Sequence, residues 1–424
     1  MLQISTIAAN QESAIKGLIK RGVSNAKNLI EETLRLDQLR RETQTKLDKT
    51  LSTSNTLSRQ IGQLMKEGKR EEAETVKKQT VELKNSSKLL ADELRNYEEQ
   101  LRKALYNIPN IPHPSVPEGR SAEDNEVIYE YGRIPELPDT AMPHWELIEK
   151  YDIIDFGLGN KISGAGFPVY KGKGARLQRA LVNFFLDEAR QAGYTEIQPP
   201  LLVNEDSGYG TGQLPDKEGQ MYEIVDQKMY LIPTAEVPIT NLYRDVIIQE
   251  EDLPIKNTGY TPCFRREAGS WGADVRGLNR LHQFDKVEIV QIQHPDKSYA
   301  ALEDMAVHTR QLLEKLELPY RVLKLCAGDL GFTSALTYDM EVYSAAQKKW
   351  LEVSSVSNFE TYQANRLKLR FKNQDNKTQL LHTLNGSALA LPRIVAAILE
   401  NNQQEDGVRV PEVLVPYTGF DIIN

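Results

Sequence analysis

The sequence predicts an α+β protein: an antiparallel sheet of six to seven strands flanked by helices, preceded by a long antiparallel α-helical coiled-coil hairpin. Three observations carry that reading. Residues 27–105 contain no proline and one aromatic residue, Tyr97, and show a heptad-like apolar seam. Four prolines then fall between Pro109 and Pro117, the sharpest punctuation in the chain. Beyond them, strand-like alternation mixes with amphipathic helices without a regular strand–helix–strand beat, which favours hairpin-paired strands over a parallel sheet.

In the first part, Val76, Thr80, Leu83, Ser87, Leu90, Leu94, Tyr97 and Leu101 step by alternating threes and fours. Upstream, Leu47, Leu51, Ser54, Ser58, Ile61 and Met65 keep the same beat, and "KEGKRE" with Gly68 interrupts it. Two helices of about 35 residues, each about 50 Å long at 1.5 Å per residue, fold back on each other and project as an arm. Residues 1–110 are expected to form this helical domain and 111–424 a second one. Residues 1–110 hold 20 Lys and Arg against 15 Asp and Glu, a net of +5, whereas the remainder holds 32 against 45, a net of −13. A basic arm on an acidic body suits a polyanionic partner; an ordinary solvated helical face has the same composition.

The second part alternates between the two periods. "ALVNFFLDEARQAGY" is an amphipathic helix, "TEIQPPLLV" an extended stretch broken at Pro199-Pro200, and "MYLIPTAEVPITNLYRD" a strand entering a helix. "GYTPCFRREAG" and "RLHQFDKVEIVQI" alternate as strands around a Gly-containing connection, "YAALEDMAVHTRQLLEKLEL" is another helix, and "TLNGSALALPRIVAAILENNQ" passes from strand to helix.

Several chemistries are excluded. "YKGKGARL" lacks the G-x-x-x-x-G-K-[ST] pattern, so Gly172 and Gly174 are expected in a flexible turn. The six histidines show no H-x-x-x-H pair, no serine sits in a G-x-S-x-G elbow, and Cys263 and Cys326 are too few for a Cys-rich zinc site. Two isolated cysteines fit a reduced cytosolic protein, and neither a secretory signal nor a membrane span is expected. What recurs is polar residues on strands that should be buried: Thr234 and Glu236; Arg265 and Glu267; Glu288; Glu352 and Ser355; Asn385 and Ser387; then Arg393 after Pro392. Buried charges are costly unless paired, so several strands each presenting one or two imply a shared polar floor, most simply a ligand site. Strand alternation puts Arg265 and Glu267 on one face and Arg266 on the other.

These residues also carry a resemblance. "FRREAG" (264–269) with "RLHQFDKVE" (280–288) resembles motif 2 of class II aminoacyl-tRNA synthetases, "NGSALALPR" (385–393) motif 3, and "GYTEIQPPLLV" (193–203) motif 1. "PTAEVP" (233–238) and the N-terminal hairpin narrow the likeness to the bacterial type of seryl-tRNA synthetase, over almost the whole chain. The resemblance implies a class II catalytic fold that joins L-serine to ATP and passes it to a serine-accepting tRNA, with the selenocysteine tRNA as an acceptor it leaves open. Joining a carboxylate to a phosphate demands fixed cations, and a bidentate guanidinium suits phosphate better than a point charge.

By the same resemblance, Arg265 grips the α-phosphate and Arg393, with Arg280, clamps the γ-phosphate, Arg265 and Arg393 being the catalytic pair. Glu267 meets the adenine amino group, Phe284 stacks on adenine, and Arg266 falls within the nucleotide-binding tripeptide although a peripheral role fits its orientation. The run Glu352, Val353, Ser354, Ser355 borders ATP, with Glu352 and Ser355 offering oxygens to Mg2+; no zinc is implied. Thr234, Ala235, Glu236, Glu288, Asn385 and Ser387 line the serine pocket. A pocket built to hydrogen-bond a hydroxyl rejects an analogue lacking it by roughly 10,000- to 100,000-fold, so alanine needs no editing domain. His282 reads as scaffold. The arm and the motif 2 loop are implied to hold tRNA, with Ala273 where relatives carry lysine and Trp271 and Arg276 remaining there. Ala388 and Pro392 replace glycines. A cytoplasmic homodimer with Pro200 at its interface completes the implication. Alternatives are a non-catalytic tRNA-binding paralogue, or a threonyl- or prolyl-type enzyme.

Overall fold

A computed structural model describes residues 1–267 and 276–424. It divides into two compact units, one of Leu2–Ile19 and Val23–Pro109, the other of Met1, Lys20–Gly22 and Asn110–Asn424.

The first unit is dominated by two helices, α1 (Ala26–Lys66) and α2 (Arg70–Tyr106), of 41 and 37 residues, joined at Gly68 with φ +78°. They pack along each other as a hairpin. In α2 the residues of the expected seam turn inward, Leu94 and Leu101 fully and Val76, Thr80, Leu83, Ser87, Leu90 and Tyr97 partly. In α1 the seam slips by one position after Leu47. It runs through Thr50, Ser54, Leu57, Ile61 and Leu64, and leaves Leu51, Ser58 and Met65 exposed. Both tracks carry leucines at three-four spacing, so periodicity alone could not choose between them; packing against α2 does.

The second unit is built on a sheet with eight strands among the described residues: β1 Glu126–Tyr131, β2 Thr195–Glu196, β3 Ile255–Phe264, β4 Gln283–Gln293, β5 Tyr320–Lys324, β6 Leu336–Ser344, β7 Lys349–Asn358 and β8 His382–Ala390. Their spatial order is β1-β5-β6-β7-β8-β4-β3-β2. The first seven strands form six antiparallel pairs, as expected; the two-residue edge strand β2, parallel to β3, makes the eighth strand.

Alternation along β4 sorts its side chains between two layers. Val287 and Ile289 join the main core with Leu181 and Phe185 of α3 (Gly172–Gln191), Leu302 and Met305 of α5 (Ser298–Lys315), and Ile394 and Ile398 of α6 (Leu391–Asn401). Each such fully buried side chain contributes about 1.5–3 kcal/mol. Val290 instead packs with Ala235 and Ile239 of the short helical segment headed by α4 (Glu236–Asn241). Gly172 and Gly174 do not form a loose turn: they are the first turn of α3, where the packed core extends the helix further than its apolar pattern suggested.

Candidate active site

The polar face of β4 presents Phe284, Lys286 and Glu288 in succession, two residues apart. Opposite them in register stand Cys263, Thr261 and Gly259 of β3, and Ser387 of β8 lies beside Glu288. Glu288 is fully buried and is held from three sides. Lys286, also buried, pairs with its carboxylate, Thr234 Oγ1 donates to it at 2.9 Å, and Asn385 Nδ2 at 3.2 Å. Thr234 Oγ1 in turn accepts the Glu236 amide at 3.3 Å.

Glu236 is nearly as buried, and Gln363 Nε2 donates to its Oε1 at 2.6 Å, with Thr383 donating to Gln363 Oε1 at 2.7 Å. Burial, and then the neighbouring Glu288 charge, push its carboxyl from 4.5 up to about 7. Glu236 lines a cavity together with Thr234, Lys286, Asn385 and Ser387, and Glu288 is wholly buried behind them; a carboxylate so placed can accept from a cation carrying hydrogen-bond donors.

Next to this cavity lies a second, lined by Phe284, Asn279, Val353, Ser354 and Arg393. The two share Arg265, Glu267, Arg280, Lys286, Glu352 and Ser387, and so form one continuous cleft. Arg265 sits at the junction: its Nε donates to the Pro233 carbonyl at 3.3 Å and its guanidinium lies 5.1 Å from the centre of the Phe284 ring. Arg280 pairs with Glu267. Arg393 opens α6, where Pro392 occupies the first turn without cost. Its guanidinium donates to the carbonyls of Asn279 at 3.0 Å and Glu352 at 2.6 Å.

Ser354 Oγ donates to the Ser387 carbonyl at 2.6 Å, stitching β7 to β8 beneath the cleft. Glu352 is half exposed, and Ser355 lines the first cavity and bonds Asp339. One Asp339 oxygen is buried with no partner, and burial followed by the Glu352 charge pushes its carboxyl up. Anionic and hydroxyl oxygens concentrated there fit a hard divalent cation. Among the described residues no cluster of three or more His, Cys, Asp or Glu side chains could hold a metal on its own.

Most expected site residues therefore meet in one cleft, and three do not. Glu288 is wholly buried behind Thr234, Lys286 and Asn385, which line the cleft and bond to it. Ala235 is wholly buried and its methyl packs on Ile239 and Val290, because the turn into α4 directs it to the core. Arg266 is exposed and lines neither cavity; its amide is tied to the Gln220 carbonyl at 2.9 Å. Strand alternation is not the reason, since β3 ends at Phe264 and Glu267 swings back into the cleft with φ +48°. Trp271 and Ala273 lie outside the described residues; Arg276 stands 4.8 Å over the Trp145 ring. His282 is a scaffold residue, bonded to the Tyr222 hydroxyl at 2.7 Å and stacked on Phe167.

Lys286 and Gln363 were not expected. Lys286 had a legible signal, its place between Phe284 and Glu288 on one strand face. Gln363, from a short helix over a hundred residues after Glu236, had none.

An antiparallel sheet whose cleft gathers Arg265, Arg280 and Arg393, the last in the first turn of a helix, is the core of a class II aminoacyl-tRNA synthetase, and the tRNA synthetase class II core domain (G, H, P, S and T) matches residues 222–402. The seryl-tRNA synthetase N-terminal domain matches residues 1–112. A serine–tRNA ligase of Salinibacter ruber is 51% identical over 422 residues, covering 99% of this chain and 98% of the relative, and one of Akkermansia muciniphila is 47% identical, covering 100% and 99%. The crystal structure of a seryl-tRNA synthetase from Pyrococcus horikoshii complexed with ATP superposes with a TM-score of 0.92 at 35% identity, covering 100% of this chain and 99% of that one. The chain belongs to the seryl-tRNA synthetase family.

Proposed function

We propose that this serine–tRNA ligase activates L-serine in the cleft between Glu236 and Arg393. The serine carboxylate attacks the α-phosphorus of ATP, the bond to the bridging oxygen breaks, and pyrophosphate leaves; the seryl group then passes from the adenylate to the 3′-terminal adenosine of tRNA(Ser). The observation that carries this is the joining of two cavities at Arg265, one reaching Glu236, Thr234 and Asn385, the other reaching Phe284 and Arg393.

In this reading the serine ammonium faces Glu236 and Glu288, and Thr234, Asn385 and Ser387 border the hydroxyl. Lys286 pairs with Glu288 and orients it, placing a positive charge beside the two carboxyl groups. Arg265 stands where the two substrates join and offsets the charge that develops on the α-phosphate. Phe284 supplies an apolar face for adenine, already braced by Arg265 on one side. Arg280 and Arg393 hold the outer phosphates, Arg280 exchanging Glu267 for phosphate as ATP enters. Mg2+ at Glu352 and Ser355 would neutralise phosphate charge. No general base is needed, because the serine carboxylate is ionised near neutral pH.

Residues 1–110 form the tRNA-binding domain in this proposal, with 111–424 the catalytic domain. The net charge of +5 on the hairpin region supports backbone contacts to a tRNA arm. A cytoplasmic homodimer paired around motif 1 and Pro200 is part of the same reading; among the described residues no helix is long and apolar enough to cross a membrane. Serine-dependent ATP–pyrophosphate exchange tests the whole. Absence of exchange with serine, or a preference for threonine, refutes it.

A further inference from the structure

Helix α6 carries more than Arg393. Glu400, seven residues on and two turns deeper, lies on the same side of the helix and is fully buried. Its Oε1 accepts the His144 amide at 2.9 Å, His144 Nδ1 at 2.7 Å and Gln347 Nε2 at 2.8 Å, and its Oε2 accepts the Ser344 hydroxyl. A carboxylate only accepts, so Nδ1 of His144 bears the proton and Nε2 is left as an acceptor. That nitrogen takes the Leu278 amide at 2.8 Å. The ring is completely buried, and each of its nitrogens has a partner.

Leu278 belongs to the one-turn helix Gly277–Asn279 that leads directly into Arg280. The fit is close: Gly277 has φ +65°, and a Cβ there would lie 2.3 Å from His144 Nε2. Asn279 is tied by its side chain to Gln347 Oε1 at 2.9 Å, and its carbonyl receives Arg393 Nε at 3.0 Å. The contacts therefore close on themselves. Glu400 holds His144 and Gln347, these hold Leu278 and Asn279, Asn279 holds Arg393, and α6 returns to Glu400.

We propose that His144 and Glu400 are positioning residues for the nucleotide: the buried pair fixes the Gly277–Arg280 turn against α6, so that Arg280 and Arg393 are presented at one set spacing. An apolar pair would fill the space more cheaply but leave the Leu278 amide without a partner and the turn without a unique seat. The inference rests on the reading of Arg280 and Arg393 as phosphate ligands. It assigns their orientation to residues that touch no substrate.

The test uses the full chain and measures KM for ATP and for serine separately in pyrophosphate exchange, with thermal midpoints alongside. His144→Asn keeps a donor for Glu400 at the position of Nδ1, but its shorter amide does not reach the Leu278 amide as Nε2 does. Gln347→Ala removes the Asn279 tie at a partly exposed position. Both variants are expected to raise KM for ATP, His144→Asn on the order of tenfold, with KM for serine within about twofold of wild type. An unchanged KM for ATP in both, or an equal rise for both substrates, overturns the proposal. If His144→Asn does not fold, Gln347→Ala decides alone: a raised KM for ATP supports the proposal and a wild-type value overturns it. Arg265→Ala run in parallel separates the two claims. Normal exchange in that variant sinks the assignment of the cleft itself, whereas an inactive Arg265→Ala beside wild-type kinetics in the other two sinks only the positioning role.

Discussion

With the serine ammonium placed at Glu236, as proposed, serine binding should be sensitive to pH in a range where the substrate itself changes little. Its carboxyl titrates near about 7 because it is buried beside Glu288, with Gln363, Lys286 and Arg265 only partly offsetting that cost. The serine ammonium needs the ionised form. If only that form binds, the apparent KM for serine scales as one plus the ratio of protonated to ionised Glu236. This factor is about 11 at pH 6 and close to 1 at pH 8, so KM should rise about tenfold on going from pH 8 to pH 6. Glu236→Gln should bind serine weakly throughout and lose that slope. Exchange assays at saturating ATP from pH 6 to 8 provide the measurement. A flat profile in wild type, or the same slope in Glu236→Gln, would refute the placement of the ammonium at Glu236. Stability carries the opposite sign. A carboxyl whose value is raised on folding stabilises the fold fully below about pH 4.5 and loses that contribution as pH rises through about 7, a change of about 3 kcal/mol for the empty enzyme.

Four further outcomes follow from the cleft and the hairpin. Arg265→Ala should lower serine-dependent exchange by at least about a hundredfold while leaving tRNA binding, measured by filter retention, near wild type. Lys286→Met leaves the Glu288 carboxylate buried with hydrogen bonds but no cation, and should cost about 3–5 kcal/mol of unfolding free energy in urea melts; a loss under 1 kcal/mol would mean that the Lys286–Glu288 pair does not hold the strand face together. Deleting residues 30–100 should preserve pyrophosphate exchange and abolish tRNA charging, and in the full chain tRNA affinity should fall steeply between 50 and 200 mM salt.

Much of this architecture was legible because strand alternation and helical periodicity are local. β3, β4, β7 and β8 and the long helices announce themselves by period, and the polar interruptions in those strands mark the floor of the cleft. What stayed hidden depends on long-range packing. The seam of α1 could be chosen only by α2, since Leu51 and Leu57 are equally apolar. Arg265 and Glu267 were placed together correctly for an incomplete reason: the strand has ended, and it is the positive φ of Glu267 that returns its carboxylate to the cleft. Ala235 sits within a polar stretch, yet the backbone turns it into the core. Gln363 and the His144–Glu400 pair carry no periodic signal, because their partners are more than a hundred residues away.

The slipped seam of the hairpin has a mechanical consequence. Between Leu47 and Leu64 in α1, and between Ala73 and Leu94 in α2, none of the described residues is fully buried, and the inward positions include Thr50, Ser54, Thr80 and Ser87. These stretches face each other across the hairpin, while Leu64 and Ala73 close it near the tip and Leu94, Leu101 and Leu47 nearer the base. With little apolar area to lose there, the two helices can bend or splay along their middle at small cost while both ends stay clasped. The hairpin is thus a compliant lever rather than a rigid rod, and amides in its middle should exchange faster than those at either end.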